Sequence, residues 1–540
     1  MEKAIVERVF MNNLLQYPYN SSRCVVLGRK CAVATSQSLA TLAGMEMFWA
    51  GGNAVDAAIA TAIALTVVEP TSNGIGGDAF ALVWDDGKLH GLNASGRSPQ
   101  ALTSDRFKDL ERIPLLGWLS VTVPGAVSGW RSLWEKWGKL PFEQLFSPAI
   151  RYASEGYPVS PITAQAWQQA AATFLPLTAP KYQSFKQVFF PQNRAPKVGE
   201  IWGSKFHAAT LKEIAATGGE SFYQGKLAQA IAKYAEDTGG LVTTEDLANH
   251  QADWVEPIST QYGNLKVWEI PPNTQGIAAL MGLNILEGFD LQQYPRDSGA
   301  SFHRQIEAIK LAFADLHQYV ADPRSMSVSS EQLLAKNYAA QRRELIGERA
   351  ISLATPGLPT GGTVYLAAAD ENLMVSLIQS NYQGFGSGLL VPETGIALHN
   401  RGLGFTLEPG HPNEVAPHKR PFHTIIPGFL TEGDRALGPF GVMGAPMQPQ
   451  GHLQVVVNMV NYGMNPQSAL DAPRWRYLEK DLVLLETHVP QDIVLDLVDR
   501  GHNIRLAHPR MFGKGQIILR QDNVLIAASE PRADGLALAF

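Results

Sequence analysis

Two glycines followed at once by a hydroxyl residue, Gly361-Gly362-Thr363, head the run Val364-Tyr365-Leu366-Ala367-Ala368-Ala369 two thirds of the way along a chain of 540 residues. Glycine tolerates the dihedrals of a strained peptide bond, and the β-branched and aromatic residues after it favour a rigid strand. We read the junction as a place where the chain is cut before Thr363. A threonine hydroxyl is a poor nucleophile without a base, and a freed α-amino group titrating near neutrality supplies one. Before the cut, the same hydroxyl can attack the carbonyl of Gly362 in an N-to-O acyl shift, and hydrolysis of that ester separates the two parts. On local sequence alone the tripeptide is also an ordinary turn entering a strand, so the remaining chain decides.

The rest of the sequence predicts mixed helices and strands. Ser38 to Ala50 has helical character and stops at Gly51-Gly52. Asn53 then caps a helix over Ala54 to Val68 so rich in Ala, Ile and Val that it must be covered on most sides. The loop Gly74-Ile75-Gly76-Gly77 precedes strands at Ala79 to Trp84 and Lys88 to Asn93. A nucleotide cradle needs its glycines after a strand and before a helix, so this loop predicts a close approach of backbones instead. Further helices are expected at Gly125 to Trp137, Pro148 to Glu155, Phe206 to Thr217, Lys226 to Thr238, from Ile277, and around Phe302 to Val320. Ser325 to Gly361 turns polar and ends in a Pro/Gly-dense stretch that reads as an exposed linker. From Thr363 onward hairpins are predicted, Thr363 to Ala369 with Leu373 to Asn381 and Gln516 to Arg520 with Val524 to Ala528, and one helix, His452 to Tyr462, between them.

Several function classes fall away. A net charge of -6 and a pI near 6.1, with no basic run, disfavour nucleic acid. Ala57 to Val68 is too short to span a bilayer. The N-terminus lacks the basic start, continuous apolar stretch and small-residue cleavage site of a secretory signal, so a cytoplasmic protein is expected. Cys24 and Cys31 suggest neither a disulfide framework nor a zinc site. His399, His411, His418 and His423 match no metal-ligand spacing, so no metal and no cofactor is expected, and His423 stands apart as a candidate pocket residue. No Ser/His/Asp set or Gly-x-Ser-x-Gly elbow appears, consistent with a nucleophile that carries its own base. Arg97, just after the second strand, is placed either to grip a carboxylate or to lie on the surface.

Taken in order, the Gly74 to Gly77 loop, Val123-Pro124-Gly125, Gly239-Gly240-Leu241-Val242-Thr243, Pro271-Pro272, the Thr363 junction, Phe385-Gly386-Ser387-Gly388, Lys419-Arg420-Pro421 and Asp471-Ala472-Pro473-Arg474 resemble the γ-glutamyltransferase family from about Ala32 to the C-terminus. The resemblance implies an α+β protein with the N-terminal-nucleophile hydrolase fold, an αββα four-layer sandwich. One joint domain would be cut into a large part, 1–362, and a small part, 363–540. It further implies Thr363 as nucleophile, processing at the Gly362–Thr363 bond, Arg97 for a donor α-carboxylate and Asn381 in the substrate pocket.

The departures point to altered specificity. Where the family holds the donor's α-amino group with an acid, this chain has Leu403; its paired serines fall on His423 and Thr424, and its oxyanion glycines on Met447 and Gln448. An ammonium would lose its charge partner, whereas backbone N–H groups can serve an oxyanion whatever the side chain. The leading expectation is an amidase that opens γ-glutamyl amides such as glutathione and passes the acyl group to water or an amine. The alternatives are an acylase of the same fold acting on a glutaryl-type or other acyl amide, and an unprocessed binding protein. Expected partners are the small-molecule amide and the two fragments of the chain, with a homodimer left open.

Overall fold

The computed structural model describes residues 18–19, 23–351, 362–478 and 481–540. The Pro/Gly-dense segment up to Gly361 lies outside them from residue 352. Gly362–Asp370 forms a strand whose alternation sets the architecture. Val364, Leu366 and Ala368 join a core cluster with the Ala54–Val68 helix. Tyr365, Ala367 and Ala369 join another with Phe429, Ile518 and Leu525. A strand apolar on both faces belongs inside a sheet covered on both sides. This one pairs antiparallel with Cys31–Thr35 on one edge and Met374–Tyr382 on the other.

The first sheet runs, in spatial order, Leu536–Ala539, Cys31–Thr35, Gly362–Asp370, Met374–Tyr382, Asp78–Asp85, Lys88–Ala94 and Asp253–Val255. The second runs Val26–Gly28, Val524–Ser529, Lys514–Gln521, Arg435–Met443, Gly428–Glu432, Leu265–Glu269 and Ile258–Tyr262. Their facing sides share one core. The helices Ser38–Trp49, Ala54–Val68 and Ala126–Trp137 cover the first sheet, and Gly276–Leu286, Gly299–Tyr319 and Met447–Val460 cover the second. The result is a four-layer αββα sandwich.

Ala54–Val68 is buried along its whole length, as its composition requires, and Asn53 and Asp56 close a reciprocal capping box at its start. Val26–Gly28, for which the sequence suggested no strand, pairs with the Val524–Ser529 strand, and one expectation needs correction. Among the described residues after Thr363 there are three α-helices, not one: Met447–Val460, Pro466–Asp471 and Gln491–Asp499. Cys24 and Cys31 are free thiols, the first exposed and the second buried.

Candidate active site

Thr363 is buried at the amino end of its strand. Between Gly362 and Val364 the register with Met374–Tyr382 slips, so that two steps on the Thr363 strand match three on its neighbour. Irregularities of this kind re-aim side chains and cluster beside active sites. Ser380 falls opposite, its Oγ 3.2 Å from Thr363 Oγ1, and it accepts a hydrogen bond from the Tyr382 N–H at 2.7 Å. Tyr382 itself takes φ 74°, a left-handed conformation that costs a non-glycine residue about 1–3 kcal/mol.

Asn381, between them, is wholly buried, and neither polar atom of its side-chain amide finds a partner among the described residues. It packs against the glycine loop: a Cβ on Gly74 would lie 2.9 Å from Asn381 Nδ2, and one on Gly76 2.4 Å from the Ala397 carbonyl. Close backbone approach is therefore what these glycines provide.

Beneath this corner lies a buried charged group that the sequence did not announce. Asp78 Oδ1 accepts from the Gly96 and Gly125 N–H groups at 3.2 and 3.1 Å, and Oδ2 lies 3.1 Å from His423 Nε2. Burial pushes the Asp78 carboxyl up to about 7, against the opposing pull of Arg401. Burial likewise holds the His423 imidazole well below its ordinary range, so it sits neutral with Nε2–H toward Asp78 and its ring edge-on to Phe80. Arg401 is fully buried, its guanidinium 3.9 Å over the Tyr382 ring and Nη1 donating to Thr424 Oγ1 at 2.9 Å. His423 and Thr424 thus meet this group by way of Asp78 and Arg401.

The other expected site residues lie in different surroundings. Arg97 Nη1 is 3.2 Å from Asp322 and Nη2 3.6 Å from Asp253, beside Arg324 and Arg420. Its guanidinium is held within an ion-pair cluster. Leu403 packs with Leu102, Phe107, Ile113 and Phe405 and lines a cavity of about 890 Å³ with Gln383 and Phe422. Met447 and Gln448 open the Met447–Val460 helix, where their N–H groups donate to the Gly444 and Ala445 carbonyls at 3.1 Å. An oxyanion would have to share those donors.

Of the histidines considered for a metal, His399 and His423 both face Asp78, while His411 reaches the His317 carbonyl at 2.9 Å. The described residues instead gather His303, Glu307 and His502. There Lys310 Nζ lies 2.8 Å from Glu307 Oε1, and Glu307 Oε2 accepts the Ile351 N–H. The carboxylate is already neutralised, and the group acts as an anchor for the chain at Ile351. Ser380, Asp78 and Arg401 were not singled out in the sequence. Arg401 stands in the same Asn400-Arg401-Gly402-Leu403 stretch that exposed Leu403, but a buried arginine has the same one-letter symbol as a surface one.

Two facing antiparallel sheets between helical layers, with a buried threonine at the head of a central strand, define an N-terminal-nucleophile hydrolase. The Gamma-glutamyltranspeptidase family model matches residues 40–540, and the chain belongs to that family, an enzyme family of hydrolases and transferases. The crystal structure of cephalosporin acylase from Bacillus halodurans superposes with a TM-score of 0.93 at 53% identity, covering 97% of this chain and 98% of that one. The Glutathione hydrolase-like YwrD proenzyme of Bacillus subtilis is 35% identical over 95% of this chain and 99% of its own length. The Oxamate amidohydrolase proenzyme of Klebsiella pneumoniae is 32% identical over 93% and 97%. Among the described residues no helix is long and apolar enough to cross a membrane.

Proposed function

We propose that the chain cuts itself between Gly362 and Thr363 and then works as a hydrolytic amidase through the Thr363 hydroxyl. The observation that carries this reading is the buried Thr363 on a central strand, its Oγ1 3.2 Å from Ser380 Oγ at a break in register. The freed α-amino group takes the hydroxyl proton as Oγ1 attacks the amide carbonyl. The amine leaves with that proton, and water then releases the acyl group from the Thr363 ester. Ser380 orients the hydroxyl, Asn381 lines the acyl pocket, and the Met447 and Gln448 N–H groups are candidates to steady the oxyanion.

Two classes of acyl group fit this chemistry. The relatives named glutathione hydrolases favour a γ-glutamyl donor. Leu403, in an apolar cluster where an acid would have to meet the donor's ammonium, favours an acyl group without that ammonium, as does the similarity to an acylase. We take the second as the better reading. Fragments of 362 and 178 residues on a denaturing gel, absent from Thr363→Ala protein, are the expected outcome of processing. A Thr363→Ala chain cut at the same bond would remove Thr363 from the role. Release from a glutaryl anilide should outpace release from the γ-glutamyl anilide; the reverse order restores the γ-glutamyl reading.

A further inference from the structure

Arg401 combines three features that seldom coincide without a ligand. Its side chain is 1% exposed, its Nε and Nη2 donors have no partner among the described residues, and only Nη1 is used, by Thr424 Oγ1. A buried donor left unmade forfeits its hydration, the more so when charged, so each such group calls for an explanation. The acid whose field reaches it, Asp78, has its oxygens committed to the Gly96 and Gly125 N–H groups and to His423.

Its position bears on the reaction. The guanidinium lies over the ring of Tyr382. Tyr382 pairs with Gly362 across the sheet and donates its N–H to Ser380, which touches Thr363. Next to Tyr382 is Asn381, whose side-chain amide is also unpartnered among the described residues. A flat, charged fork stacked on Tyr382, with two donors unused among the described residues, matches a carboxylate. A cationic group at the same point would be repelled by the buried Arg401 guanidinium.

We infer that Arg401 is the anchor for a carboxylate at the far end of the acyl group, so that the donors are monoamides of a short dicarboxylic acid with no ammonium beside that carboxylate. This rests on the Thr363 amidase reading and names its substrate class. Arg401 acts in recognition: its guanidinium takes the carboxylate through Nε and Nη2 while the amide carbon is held at Thr363 Oγ1. Arg97, engaged with Asp322 and Asp253, is not needed for this grip.

The test compares turnover of glutaryl anilide with butyryl anilide, the same three-carbon stem with hydrogen in place of the carboxylate. The processed wild-type protein should prefer glutaryl by at least a hundredfold in kcat/KM, carried mainly by KM. Arg401→Gln should erase that preference by lowering glutaryl kcat/KM far more than butyryl kcat/KM, and Arg401→Lys should restore part of it. Equal turnover of the two anilides by wild-type protein would overturn the proposal without any variant, as would an Arg401→Gln protein that keeps the preference or loses both activities together. Absence of any turnover and any chain cleavage would instead count against the Thr363 reading, a separate outcome. Calorimetric titration gives a readout besides catalysis: glutarate should bind processed wild-type protein at least tenfold tighter than it binds Arg401→Gln protein, and equal binding by the two would overturn the proposal.

Discussion

At the scale of single residues, the site is ordered by what burial does to charge. Asp78 holds its proton up to about 7 because the fold removes its water, and two backbone N–H groups and Arg401 only partly compensate. A carboxyl with a raised folded pKa stabilises the fold fully below its unfolded value and loses that contribution as pH rises toward the folded one. Between pH 4 and 7 Asp78 therefore withdraws on the order of 4 kcal/mol, about three units at 1.36 kcal/mol each. His207 and His250, held low by burial to about 4 and about 3, act with the opposite sign as pH rises toward 6.5. They are common to wild-type and Asp78→Asn proteins and cancel in a comparison. Urea unfolding at pH 5 and pH 8 should show wild-type protein losing more stability than Asp78→Asn; parallel losses would mean Asp78 does not titrate in this window.

At the scale of elements, the strand end at Ala94 and the Val123-Pro124-Gly125 loop come so close that glycine is required at both. A Cβ on Gly96 would lie 1.5 Å from the Val123 carbonyl oxygen, and one on Gly125 2.0 Å from that of Ala94. Neither contact can relax cheaply, since both partners are backbone. Gly96→Ala should cost at least about 4 kcal/mol and weaken the N–H grip on Asp78, seen as a lower Tm together with lost activity. Such loops were visible in the sequence as glycine and proline punctuation, and the helices Ser38–Trp49 and Ala54–Val68 and the first hairpin after Thr363 were visible as periodicity. What stayed hidden was whatever depends on remote pairing. Cys31–Thr35 and Leu536–Ala539 are short and gain strand character from each other across five hundred residues. The contacts of Thr363 could be read no better: its place at a junction was legible, but the slip that brings Ser380 opposite it and the burial of Arg401 arise only once the sheets are stacked. Leu403 was legible as a departure from pattern; its apolar surroundings were not.

For the whole molecule, the two parts of the chain are interleaved rather than adjacent. In the first sheet Cys31–Thr35 lies between Leu536–Ala539 and Gly362–Asp370, so the large part supplies a strand flanked on both sides by the small part. The second sheet mixes them again, with Leu265–Glu269 beside Gly428–Glu432. After cutting, the fragments should co-elute on a sizing column and part only in denaturant; separation in native buffer would contradict the shared sheets. The Phe540 carbonyl accepts hydrogen bonds from the N–H groups of Arg29 and Cys31 at 2.9 and 3.1 Å, so the ends of the described fold meet. A permuted gene that begins at codon 363, runs to Phe540, continues through a flexible linker into Arg23 and stops at Ile351 should therefore fold without crossing any strand. Once its initiator methionine is removed, it would be born with a threonine amine, and comparing it with the self-cut protein would separate the chemistry of maturation from that of turnover.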